Sequence, residues 1–286
     1  MSKKVNIVFF HIGDQEYVTH TIRQIKSTNP DSTIHFIGDK LHDDVLKEVE
    51  FHHYEDLVCD QAFSFLKWFQ NYSTNDGEFE KICILRWFCI RNLWKQKGFE
   101  SIFYADCDVM VYCDLNEESK KFEKYLFSIA AGTAAHNTFI NTVYVLEDFC
   151  NLVETFYCSP TKPLPLGDKV VNIKLYKENT VNEYKTRLTQ GLSGGVSDMK
   201  FWQKLKLSYP AGAVGEMCEV RDGSTFDHTI SECDGYEMEH GLKKLGLQNG
   251  FPMCYNRIVK DYVKFNTIHF QGIKLKQLMN ECKTYE

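Results

Sequence analysis

The sequence has no Cys-x-x-Cys pair, no basic excess and no apolar run of membrane-spanning length, and each absence removes a class of protein. Without that spacing the eleven cysteines do not read as a zinc ribbon or a thiol redox centre. Their number is odd, and Cys83, Cys89 and Cys150 lie in apolar stretches where a thiol acts as a small hydrophobe. Free thiols in a reducing, cytoplasmic compartment are the expectation. A net charge of −6 is the reverse of the balance a nucleic-acid binder carries. No segment approaches the roughly 20 apolar residues that cross a bilayer, and the stretch after Met1-Ser2-Lys3-Lys4 is too short for a signal-peptide core. No transmembrane segment is expected, and peripheral contact with a membrane stays open. Prolines are few, six in all, and three of them fall between Ser159 and Gly167, which is expected to be a loop.

What is present fits a large α/β fold. A chain of 286 residues buries roughly 75% of its unfolded surface, so it needs no staples. Val5-Asn6-Ile7-Val8-Phe9-Phe10 predicts a buried strand. Residues 15 to 28 predict a helix, with Tyr17, Val18, Ile22 and Ile25 at helical spacing and Asn29-Pro30-Asp31 as the stop. Residues 33 to 37 are a second strand ending in Gly38-Asp39, and strand-helix-strand at this length implies a parallel sheet. Helical patterns follow at 61 to 72, 80 to 97 and 140 to 157, with a strand at 101 to 105. The expected architecture is a mostly parallel central sheet flanked by helices. One domain covers 1–286, with a nucleotide-binding half (1–115) and an acceptor-shaping half (116–286).

The strand at 101 to 105 runs straight into Asp106-Cys107-Asp108. Ligands of open parallel sheets bind beyond the carboxyl ends of the strands. In an extended segment, carboxylates two apart point the same way. Such a pair suits a hard divalent cation, Mn²⁺ or Mg²⁺, which can bridge a diphosphate. Phosphatases of the haloacid class carry Asp-x-Asp on their first strand, whereas here it comes late. A sugar-nucleotide pyrophosphorylase would want a glycine-rich first loop, and His11 to Tyr17 has one glycine.

Other candidates carry two readings each. His269, after the strand-like 264 to 268, can be a third metal ligand or a buried histidine. Lys274 and Lys276 can neutralise a diphosphate or be solvated. Arg86, on an apolar helix face, needs a partner, Asp106 or a structural carboxylate. Tyr17 can stack on a base or join the core, and Asp39 can bind ribose hydroxyls or close a turn. Gly194-Gly195 permits close approach of backbone to a ligand, or simply turns. Asp227 is the candidate catalytic carboxylate, with Asp198, Asp222 and Asp234 competing.

These residues resemble, in order, landmarks of the GT-A glycosyltransferases, most closely the retaining family that includes glycogenin and the bacterial lipopolysaccharide galactosyltransferases. His11-Ile12-Gly13-Asp14-Gln15-Glu16-Tyr17 is similar to the nucleotide loop, Pro30 to Ile37 to the second-strand entry, and Ile84-Leu85-Arg86-Trp87-Phe88 to the helix with the donor arginine. Tyr104 to Asp108 is similar to the metal motif, and Leu192-Ser193-Gly194-Gly195-Val196 to an Asn-x-Gly-Val turn that meets the sugar. Phe226-Asp227-His228 is similar to Asp-Gln-Asp, and Ile268-His269-Phe270-Gln271-Gly272 to the final His-x-x-Gly, whose histidine completes the metal site.

Three departures stand out: Ser193 where the turn has Asn, only Asp227-His228 of Asp-Gln-Asp, and a final lysine at 274 or 276 instead of between them. The resemblance implies metal-dependent transfer of a sugar from a nucleoside-diphosphate donor, UDP-linked, to a glycan or lipid-linked saccharide, with retention. On that implication Asp106, Asp108 and His269 hold the metal, and His11, Tyr17, Asp39, Arg86, Ser193, Gly194, Gly195, Lys274 and Lys276 bind the donor. The alternatives are an inverting enzyme, with Glu216, Asp222 or Asp227 as base, or a binding protein of the same fold without turnover.

Overall fold

In the computed structural model, which describes residues 4–285, the run from Val5 lies inside the first strand and the layer around it. The first part of the chain reads β1 (Asn6–His11), α1 (Tyr17–Thr28), β2 (Ile34–Gly38), α2 (Asp43–Leu46), β3 (Glu50–His53), α3 (Asp60–Trp68), α4 (Gly77–Lys97) and β4 (Ile102–Ala105). Then come β5 (Val109–Val111), α5 (Leu115–Ser119), β6 (Phe127–Ile129), β7 (Asn137–Ile140), α6 (Val143–Cys158), β8 (Pro163–Leu166), β9 (Lys169–Asn172), α7 (Ile173–Thr189) and α8 (Asp198–Ser208). The last part holds β10 (Val214–Glu216), β11 (Ser224–Phe226), β12 (Met238–Glu239), β13 (Leu242–Lys243), β14 (Gly246–Gln248), β15 (Phe251–Asn256), β16 (Asp261–His269) and α9 (Ile273–Lys276).

The central seven-stranded sheet has the order β10-β6-β7-β4-β1-β2-β3, with β7 antiparallel to its two neighbours and the remaining pairs parallel. It is the expected α/β arrangement. Successive residues of β1 bury opposite faces: Ile7 and Phe9 pack with Val18, Ile22 and Ile25 of α1, while Val8 and Phe10 pack toward α3, α4, α6 and α8. Both faces are covered, which is why the strand is apolar throughout instead of alternating. Trp87 of α4 meets Trp202 of α8 edge-on, ring centroids 4.8 Å apart. A second sheet, β11-β16-β15-β14, is tied to the first half by β5, which pairs with β16.

The predicted boundaries move in four places. The helix expected at 61 to 72 ends at Trp68, and the chain instead bridges Ser73 to Gly195. The helix expected from 80 begins at Gly77 because Asp76 caps it, accepting from the Glu78 and Phe79 amides at 2.9 and 3.0 Å. The start of the segment 140 to 157 belongs to β7, and the helix begins at Val143. The expected loop at 159 to 167 contains β8, paired with β9. Pro163 and Pro165 lie two apart, so both missing donors face the same way, and a two-stranded ribbon has an outer edge where none is needed.

Candidate active site

The order β3-β2-β1-β4 reverses direction between β1 and β4, and in open α/β sheets ligands bind beyond the carboxyl ends of the strands at such a switch point. His11 ends β1 and Asp106 follows β4. The Asp106-Cys107-Asp108 triplet is a tight turn and not the extended segment expected: the Val109 amide donates to the Asp106 carbonyl at 3.0 Å. Three elements hold the turn. The Thr21 hydroxyl of α1 donates to the Cys107 carbonyl, the Asp106 amide to the His136 carbonyl at 2.7 Å, and the Phe270 amide to the Asp108 carbonyl at 2.9 Å.

Pairing of β16 with β5 sets His269 opposite Val109, which brings the imidazole Nε2 to 3.5 Å from Asp108 Oδ1. Its Nδ1 donates to the His228 carbonyl at 2.6 Å. That bond fixes the tautomer and leaves Nε2 facing the carboxylate, the usual disposition of a ligating histidine. The His136 ring stacks on His269 with centroids 4.1 Å apart. Lys276 Nζ lies 3.1 Å from Asp108 Oδ2, donates to the Tyr17 hydroxyl at 3.3 Å and sits 4.7 Å from the Tyr17 ring centroid. Lys274 is exposed on α9, so of the two lysines it is Lys276 that joins the cluster. The His11 ring meets Tyr17 edge-on at 5.7 Å.

Asp106 is drawn toward α4. Its Oδ1 accepts from Arg86 Nη1 at 2.6 Å and from the Tyr104 hydroxyl, while Arg86 Nη2 donates to Asp198 Oδ2. The ligand atoms of Asp106, Asp108 and His269 accordingly do not all lie within 4.8 Å of one another. Burial works against the charge on Asp108, but His269 and Lys276 outweigh it and hold the carboxyl well below the usual range. Burial also opposes protonation of His269, and hydrogen bonding to Asp108 with that group's charge overcomes it, raising its pKa. Burial depresses His11, with Lys276 adding to the effect. In the metal-free chain, then, protein cations neutralise Asp108.

By donor chemistry two carboxylates and one imidazole with its tautomer fixed suit Mn²⁺ or Mg²⁺, with Asp108 and His269 together and Asp106 held aside by Arg86. Around them, Arg86 Nε, Asn137 Oδ1 and His228 Nδ1 are buried without a protein partner. Buried polar atoms are normally paired, and a bound ligand or water is the ordinary partner for such orphans.

Neither a protein-family profile nor a curated protein sequence matches the chain. Among solved structures it is similar to mouse xyloside xylosyltransferase 1 at 15% identity, over 75% of this chain and 85% of that one, with a TM-score of 0.39. A glycosyltransferase involved in glycosylation of the major capsid of PBCV-1 matches at 13% identity, over 97% and 100% of the two chains, with a TM-score of 0.42. GlyE of Streptococcus pneumoniae matches at 14% identity, over 80% of this chain and 48% of that chain, with a TM-score of 0.35. Likenesses so remote leave the activity to be argued from the site.

Five expected residues take other places. Asp227 is sequestered: its side chain is 1% exposed, Oδ1 takes the Lys243 ammonium at 2.6 Å and Oδ2 the His269 amide at 3.1 Å. It supports the backbone of the metal-candidate histidine and is closed to solvent. Gly195 has φ +154, and a Cβ there would stand 2.2 Å from the Tyr72 carbonyl oxygen, so the glycine serves approach to the 72–73 backbone. Gly194 donates to Thr74 Oγ1 at 2.8 Å, and the Ser193 carbonyl accepts from Arg187. Both glycines line a separate cavity of about 300 Å³ with Ser73, Glu80, Arg187 and Ser197. Asp39 accepts the Gly13 amide at 2.8 Å and braces the loop after β1.

Sequence reasoning passed over His136 and Lys243, took Tyr104 and His228 only as members of motif strings, and weighed Asp198 only as a rival of Asp227. One signal was available: Asp198 opens a helix directly after Gly194-Gly195. The eleven cysteines are all free. Among the described residues no helix is long and apolar enough to cross a membrane.

Proposed function

We propose that the chain is a glycosyltransferase that takes a nucleoside-diphosphate sugar, UDP-linked by family resemblance, and passes the sugar to a glycan or lipid-linked saccharide with retention. The observation that carries this is the meeting of Asp108 with His269 and Lys276, drawn from the two halves of the chain to the sheet's switch point. Asp106, Asp108 and His269 would hold Mn²⁺ (or Mg²⁺), which when bound supplies positive charge to the diphosphate oxygens. Tyr17 offers an aromatic face beside His11, and Lys276 a cation within reach of both Tyr17 and Asp108. Arg86 spans Asp106 and Asp198, and the residues on either side of Asp198, Ser197 and Met199, line the glycine cavity. That cavity is the acceptor side in this reading. An inverting version would draw its base from Glu80, the buried carboxylate of the same cavity.

The test is calorimetry of uridine diphosphate with EDTA-treated protein, with and without Mn²⁺. Binding is expected only with the ion and is lost in Asp108→Asn, while the fold is kept. Equal affinity in EDTA and Mn²⁺ sinks the metal-dependent reading.

A further inference from the structure

The outer edge of the central sheet carries a second cluster of ligating side chains that glycosyl transfer does not use. Parallel pairing of β2 with β3 sets His35 opposite Glu50, and His52, two residues on, shares their face. Among the described residues this is the one set of three His, Cys, Asp or Glu side chains whose ligand atoms all lie within 4.8 Å of one another. His35 Nδ1 is 3.2 Å from His52 Nε2 and 3.4 Å from Glu50 Oε2. His35 is 2% exposed and backed by the Phe99 ring, whereas Glu50 is open to solvent.

We propose that His35, Glu50 and His52 form a binding site for a zinc-class divalent ion, with water in the fourth position. Ligand atoms 2.0–2.1 Å from a tetrahedral ion stand about 3.3 Å apart, and both approaches here match that edge. Hydrogen bonding explains them less well. One imidazole nitrogen carries at most one proton and cannot make a full bond to Glu50 and His52 together. Two imidazoles and a carboxylate are an established three-ligand set for zinc, leaving an open position toward solvent.

The positive charge at the site is now supplied by Lys97, whose ammonium lies 2.8 Å from Glu50 Oε2. It ends α4 and is partly exposed, so it can swing aside as an ion enters. The bound ion ties edge strand β3 to β2, and so secures the sheet at the margin where pairing is otherwise free.

The experiment uses the full chain carrying Asp108→Asn, which disables the other divalent site and makes the result independent of glycosyl transfer. EDTA-treated protein is titrated with Zn²⁺ alone by calorimetry, with reductant present. One equivalent is expected to bind. Removing even outer-shell partners of a metal weakens binding about 10–100-fold, so Glu50→Gln and His52→Ala should each exceed about 100-fold. Lys97→Met, which removes the competing ammonium, should tighten binding. Glu50 and Lys97 are exposed enough for their variants to fold, which melting curves would verify. Absence of zinc binding overturns the proposal, as does weaker binding in Lys97→Met. Equal affinity in Glu50→Gln, His52→Ala and the parent assigns the zinc to thiols and overturns it too.

Discussion

Asp227→Ala is expected to cost the metal-free protein its stability before it costs any chemistry. The Asp227 and Lys243 side chains are each 1% exposed, and their 2.6 Å contact is sealed from water. Truncating one partner strands the other. Lys243 would keep the neutral Thr229 carbonyl at 2.8 Å and, as its one remaining carboxylate, Asp234, 2.8 Å away and one-third exposed, and the His269 amide would lose its acceptor. Burial disfavours the Lys243 ammonium, and it is Asp227, with Asp234, that overcomes this and raises its pKa, so the truncation removes the main support of a buried charge. Breaking a buried pair this way costs about 3–5 kcal/mol. In a domain of this size that corresponds to a melting temperature lower by roughly 5–8 °C. Replacing both partners by apolar residues, Asp227→Leu with Lys243→Met, removes the stranded charge and should recover most of the loss. Thermal and urea unfolding in EDTA, run beside a turnover assay, decide the matter. If Asp227→Ala melts within about 2 °C of the parent and turnover vanishes, the carboxylate reaches substrate and the reasoning from burial fails.

Two further outcomes test the glycine cavity. Gly195→Ala should lose on the order of 1–3 kcal/mol in urea unfolding, because the new methyl would stand 2.2 Å from the Tyr72 oxygen, whereas Gly191→Ala, which meets nothing within 4 Å, should lose only the left-handed backbone strain of about 1 kcal/mol. A Gly195→Ala protein as stable as the parent would show the 72–73 contact to be slack. Burial raises the Glu80 pKa above its ordinary 4.5, so this group's contribution to stability is whole at acid pH and is lost as pH rises through the folded value. Glutamine can keep the Ser73 and Asn75 bonds, so Glu80→Gln should match the parent near pH 4 and melt progressively higher above it as pH rises toward neutrality. A constant offset at every pH refutes the assignment, and loss of turnover in the same variant would favour inversion over retention.

Local patterns made the first half of the fold readable. The apolar run at Val5, the helical spacing of Tyr17 to Ile25 and the strand before Asp106 each state their element within one stretch of chain, because both faces of that sheet are buried. The β8–β9 hairpin escaped because proline reads as a strand breaker, and only pairing with 169–172 shows that its missing donors face outward. Asp-x-Asp was legible as a pair of carboxylates after a strand. Its tight-turn geometry was not, being imposed by Thr21, His136 and Phe270 from three distant segments.

The same division runs through the site. A glycine pair announces that something comes close, and at Gly195 that something is the chain's own Tyr72 carbonyl. Helix phase at a chain end is too short to choose between Lys274 and Lys276, since α9 is only four residues long. For Asp227, what separates a sugar contact from a buried support is an ammonium sixteen residues onward in another short strand, and no local pattern announces it. The residue type tells which chemistry a side chain can do; whether it is free to do it depends on partners that only the folded chain brings. Asp108 and His269 make the point from the other side. They lie 161 positions apart in sequence, yet β5 and β16 are adjacent strands, so pairing of backbone amides, not side-chain affinity, delivers the imidazole to the carboxylate. The same backbone pairing leaves Asp106 apart from the two, turned to Arg86 on α4.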